Sequence, residues 1–144
     1  PDQTMTSFVK TLIHLRKQWP IFKAEQWLNT EASDADACRI SVCKPDASAL
    51  TEDEARDKAI PALQIHYIHA RAKANASAVV PERIALLLNA TGKPLTFAVG
   101  QPDNGDHWHK LLDTADTSIS PENESKVSQN PTLQAHSAVL LRSD

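Results

Sequence analysis

Eighteen acidic side chains and six histidines are the groups in this 144-residue chain that could move protons or hold a metal. A carboxylate pair works as general acid and base when the two groups face each other across a cleft. The acids here are placed otherwise. Glu52, Asp53 and Glu54 fall in the first turn of an expected helix, where they complement its dipole. Asp103, Asp106, Asp113, Asp116, Glu122 and Glu124 lie in or beside turns, so no catalytic residue is assigned. His107 and His109 flank Trp108, and on a strand both would project from one face, a spacing that can begin a metal site. His66 and His69 share a face only on a helix, whereas their segment reads as a strand. No cysteine or carboxylate cluster completes a tetrahedral set, so the histidines read as surface or hydrogen-bonded groups, with no metal and no cofactor implied. Trp19, Trp27 and Trp108 are the aromatics able to stack on a sugar ring; packing is the expected role of each, with Trp27 the least constrained.

Composition removes further classes. Gly92, Gly100 and Gly105 are the only glycines, so neither a dinucleotide fingerprint nor a phosphate loop can be written. A net charge of −3 argues against nucleic acid and anionic membrane as partners, since both call for a basic surface. No apolar run approaches the roughly 20 residues of a membrane span. Cys38 and Cys43 are separated by an odd number of positions, which on a strand puts them on opposite faces and disfavours a bridge. A reduced, cytoplasmic setting follows as the expectation. The first residues carry neither an initiator Met nor a signal peptide, which marks the chain as an expected fragment or trimmed product. Asn75, Asn89 and Asn123 open glycosylation sequons, a mild excess over chance, and Asn89 is read as the end of a strand.

The elements that must position these groups begin with a helix. Met5, Phe8, Leu12, Leu15 and Trp19 recur at three- and four-residue steps, Val9 and Ile13 widen the stripe, Thr4 or Thr6 caps it, and Pro20 stops it. Residues 25–28 and 39–43 read as two strands around a polar turn. Thr51 and Glu54 have capping-box spacing for a short acidic helix. Leu63, Ile65 and Tyr67 alternate with polar residues through a strand to Ala70, and residues 71–81 read as a surface connection. Residues 84–88 and 95–99 are expected to pair as a central hairpin, with Gly92 supplying a left-handed turn and Pro94 opening the second strand. Residues 108–112 and 138–141 are further strands, and residues 119–131 a long polar loop. The fold class is therefore mainly β, an antiparallel β-sandwich preceded by one amphipathic N-terminal helix.

Two stretches carry a family resemblance. Residues 8–22, FVKTLIHLRKQWPIF, resemble the last barrel helix of α-amylase superfamily enzymes. ALLLNA at 85–90, PLTF at 94–97, WHKLLDTA at 108–115 and SAVLL at 137–141 resemble, in the same order, the C-terminal β-sandwich of isoamylase-type glycogen debranching enzymes. The resemblance implies two parts: residues 1–22 as the final helix of a missing catalytic barrel, and residues 23–144 as a C-terminal β-sandwich domain. It also implies a parent glycoside hydrolase of glycogen catabolism that cleaves α-1,6 branch points, with catalytic carboxylates that have no matching position here. Ala55, where the family often carries an aromatic residue, and the long 71–81 connection keep a pullulanase-like relative as the alternative. The implied partners are the parent barrel and, as a carbohydrate-binding alternative, glycogen or maltooligosaccharide. A partly exposed helix stripe, or its concealment by self-association, is expected of the chain by itself.

Overall fold

Apolar runs and alternations set the strands, and their pairing sets the layers. The computed structural model describes residues 3–19, 22, 38–56, 60–72, 79–102, 107–118 and 123–143. In chain order these carry α1 (Gln3–Gln18), β1 (Cys38–Cys43), α2 (Glu52–Arg56), β2 (Ala62–Ala72), β3 (Val79–Asn89), β4 (Leu95–Thr96), β5 (Trp108–Asp113), β6 (Ser125–Val127), β7 (Thr132–Leu133) and β8 (Ser137–Ser143). Six strands form one antiparallel sheet in the order β1-β2-β3-β8-β5-β6, and β4 pairs with β7 in a second, two-stranded sheet. The protein is mainly antiparallel β with one N-terminal helix.

The large sheet buries both faces, which is why Ile84 to Leu88 reads as a continuous apolar run. Toward the small sheet point Ala85, Leu87, Val139, Leu141 and Trp108, packed with Phe97, Val99 and Leu133. On the opposite face Ile84, Leu111, Leu112 and Leu140 receive Leu15 of α1, with Phe8, Trp19, Phe22, Tyr67 and Leu86 around them. A bulge between Lys110 and Leu112 lets the consecutive Leu111 and Leu112 serve the same face. Layers therefore run helix, large sheet, small sheet.

Two buried amides tie the layers together. Asn89, 2% exposed at the end of β3, donates from Nδ2 to the carbonyls of Lys93 (3.0 Å) and Gln134 (2.8 Å) and accepts at Oδ1 from the Thr91 N–H (3.0 Å) and hydroxyl (2.6 Å). Gln64, fully buried on β2, donates from Nε2 to the carbonyls of Lys44 (2.8 Å) and Ala98 (3.2 Å). Each bridges the backbone carbonyls of two separate segments of the chain. The capping box forms as expected: the Thr51 N–H meets Glu54 Oε2 at 3.0 Å and the Glu54 N–H meets Thr51 Oγ1 at 3.2 Å.

Four expectations are corrected. Residues 84–88 and 95–99 do not form a hairpin: β3 lies between β2 and β8, and only Leu95 and Thr96 pair, with Leu133 and Thr132. The Asn89 amide fixes the chain as it leaves β3 and crosses to the other layer, so turn residues between two strands do not by themselves make the strands neighbours. Gly92 does not take a positive φ; Gly100 does, at 76°. The expected 71–81 connection is strand at both ends, with Arg71 opposite Val80 and Ala72 opposite Val79. Pro81 is tolerated there because β8 joins β3 only from Ile84 onward, leaving β2 as the neighbour of that stretch among the described residues. The polar segment 119–131 contains β6, which pairs with β5 through Ser125, Lys126 and Val127. In addition α1 starts at Gln3, so Thr4 and Thr6 lie within the helix and not at the position that precedes it. The expected strand at 25–28 lies outside the described residues.

Candidate functional site

On a helix of 3.6 residues per turn, Leu15, Phe8 and Trp19 project within an arc of about 40°. That arc meets the sheet: Leu15 is 2% exposed and Phe8 and Trp19 are half-buried. The next arc of about 100° carries Leu12, Met5, Val9 and Ile13. These four are exposed at 41%, 61%, 44% and 50% and are the exposed large hydrophobic residues of the described chain. The partly exposed stripe expected from the sequence is thus present, and it runs continuously into the buried contact. Exposed apolar side chains grouped on one helix face stand out from the singly scattered ones that are usual on a protein surface.

The end of α1 is held from the sheet side. Arg142 of β8 places its guanidinium 5.7 Å from the Trp19 ring centroid. The same guanidinium grips Glu124, with Nη2 to Oε2 at 2.6 Å and Nε to Oε1 at 3.1 Å. His109, opposite Arg142 in the register, brings Nδ1 to 3.6 Å from Glu124 Oε2.

The expected groups of chemical interest fall in separate places. His107 is exposed just before β5, while His109 joins Glu124 and Arg142, and no metal-holding cluster forms among the described residues. His66 sits on a strand, as expected, with Nε2 3.0 Å from Gln64 Oε1. Because Gln64 Nε2 already donates to two carbonyls, its oxygen accepts and His66 Nε2 carries the proton. Burial, and then the nearby Arg83 charge, push the His66 pKa below its ordinary value. The carboxylates are engaged locally. Asp113 accepts from Lys110 Nζ at 2.7 Å and from the Ala115 N–H at 2.9 Å, and Asp116 accepts from the Ser118 hydroxyl at 2.6 Å and N–H at 3.1 Å. Glu54 is drawn down to about 2 by its hydrogen bonds from Lys44 and Thr51.

A cleft of about 480 Å³ opens between the 101–102 and 126–130 segments, lined by Gln101, His107, Trp108, Lys126, Gln129 and Asn130 among others. Trp108 offers it no stacking face: the residue is 2% exposed, its indole N–H donates to the Gly100 carbonyl at 2.8 Å, and His66 meets its ring edge-on at 6.3 Å. This agrees with the packing role expected of Trp108 and Trp19. Asn89 is sealed in the core by its own hydrogen bonds, so that sequon cannot present an amide for glycosylation, whereas Asn123 is exposed. Trp27, Asn75, Asp103, Asp106 and Glu122, and the side chain of His69, lie outside what the structure describes. The residues that sequence reasoning missed are Arg142 and Gln64. Both act through partners remote in sequence, and neither lies in a motif.

No family model and no curated protein matches the chain.

Proposed function

We propose that this chain is a non-catalytic β-sandwich tail of a glycogen debranching enzyme, built to cover and stabilise a catalytic barrel through α1. The observation that carries the reading is the exposed strip Met5, Val9, Leu12 and Ile13, continuous with the core that Leu15 enters. The sequence resemblance at residues 8–22 and 85–141 supplies the enzyme class. Hydrolysis of the α-1,6 bond then belongs to carboxylates of the barrel, and the sheet supplies rigidity at its flank. The half-buried free thiol of Cys43 suits a reducing compartment and supports a cytoplasmic enzyme.

The test is made in the enzyme that carries these residues. Leu12→Asp with Ile13→Asp is expected to lower the temperature at which branch-point hydrolysis is lost by several degrees, while leaving the unfolding midpoint of the 144-residue chain unchanged. Unaltered heat tolerance of the double variant, or a gene with no barrel ahead of these residues, would overturn the reading. A second reading, docking of glycogen or maltooligosaccharide, draws on the amides of Gln101, Gln129 and Asn130, since amides match sugar hydroxyls as both donors and acceptors. A saturable response of this cleft to maltotriose, removed by Asn130→Ala, would favour it.

A further inference from the structure

The exposed face of α1 has a charge signature as well as an apolar one. The helix contains Lys10, Arg16 and Lys17 and no acidic residue, in a chain whose net charge is −3. Outside the helix, 18 acidic residues stand against the 12 remaining Lys and Arg, so the rest of the chain is net acidic. Arg16 is exposed, and its helical angle falls between those of Met5 and Val9, inside the apolar strip. Lys10 is exposed beyond the Ile13 edge. The strip is thus an apolar surface with one cation within it and more along one margin.

This signature selects among occupants. A second copy pairing symmetrically, α1 against α1, would set cationic helix on cationic helix, and neither helix carries a carboxylate to answer Arg16. Like charges set against each other disfavour that contact, and the complementary arrangement is an acidic one. An anionic lipid surface also answers cations, but α1 is one element of a chain that is otherwise acidic and would be repelled by such a surface.

We propose that α1 docks, through Met5, Val9, Leu12 and Ile13, into an apolar protein groove bordered by carboxylates, one of which pairs with Arg16, and that the contact is heterologous and not self-pairing. The proposal deepens the tail-domain reading, on which it rests for placing the groove on the barrel of the same enzyme. Apolar burial supplies the affinity, and the carboxylate border sets register and partner choice.

The test uses the 144-residue chain and two synthetic helical peptides with identical Leu/Ile seams, one flanked by Glu and the other by Lys. The Glu-flanked peptide is expected to bind at least about tenfold more tightly than the Lys-flanked one, with the gap closing between about 0.05 M and about 0.5 M salt. Lys10→Glu with Arg16→Glu is expected to reverse the preference, with circular dichroism reporting that the fold is kept. Should that double variant unfold, Arg16→Gln alone must narrow the gap. Equal binding of both peptides, binding of neither, a concentration-dependent dimer of the chain alone in sedimentation, or preferential adsorption to phosphatidylglycerol vesicles would each overturn the proposal. If the peptides behave as expected but the gene encodes no barrel, the docking chemistry stands and the tail-domain reading alone falls.

Discussion

Arg142 lies 5.7 Å from the centre of the Trp19 ring while holding Glu124 at 2.6 Å, so one guanidinium couples the end of α1 to the strand β8 and to the segment before β6. Both ionic side chains are less than a quarter exposed. The cation–π contact and the charged hydrogen bonds act in a partly desolvated place, where each counts for more than at an open surface. Arg142→Ala is expected to cost about 2 kcal/mol, because it removes these bonds and leaves the Glu124 carboxylate without its cation. Urea unfolding gives the size of the loss. Hydrogen exchange should show it concentrated in the amides near Leu15 and Trp19.

Asn89 offers a sharper test of how the two sheets are joined. Its side chain is 2% exposed and serves acceptors in the turn that follows β3 and in the segment that follows β7. Truncation removes a donor from both carbonyls and the acceptor of the Thr91 N–H. Asn89→Ala is expected to cost about 2 kcal/mol, above the usual effect of a single hydrogen bond because several bonds of one buried amide are lost together. Asn89→Asp should do nearly as much damage, since a carboxylate cannot donate to the Lys93 and Gln134 carbonyls. Thermal unfolding midpoints of the two variants check this.

His66 makes stability depend on pH in a defined direction. Burial and Arg83 depress its pKa in the folded chain below the ordinary 6.5, so below that pH the unfolded chain binds the proton more readily than the folded one. Stability is then full above about pH 6.5 and declines as pH falls from there toward the folded-state pKa. His66→Gln keeps a donor for Gln64 and does not titrate. Its urea midpoint is expected to fall less than that of the parent chain between about pH 7.5 and about pH 5.5. Equal slopes for the two proteins would show that the histidine is not the titrating group.

The legible parts of the fold are those with strong local signals. β2, β3, β5 and β8 declare themselves through alternation or apolar runs, and Thr51 with Glu54 announces the start of α2. What pairs with what is a property of distant residues, and there local reading failed. Gly92 and Pro94 mark a turn correctly, yet the strand after it joins β7 because Asn89 sends the chain across the layers. β7 is two residues long and β6 three, too short to show a period. In β5 the strand was legible but the bulge that turns Leu111 and Leu112 to one face was not. The candidate surface was half legible. Three- and four-residue spacing marked the stripe on α1, but only the position of the sheet decides that Leu15 is covered and Leu12 is open.

The placement of β8 has a consequence for synthesis. Residues 137–143 are the last strand of the described chain, yet they lie between β3 and β5 in the middle of the large sheet. Until they leave the ribosome, β1-β2-β3 and β5-β6 are two separate pieces with open edges. The cluster that holds Leu87, Phe97, Trp108 and Leu133 then lacks Val139 and Leu141. The large sheet is therefore completed only when this late strand is made, and the edges of β3 and β5 stay open until then.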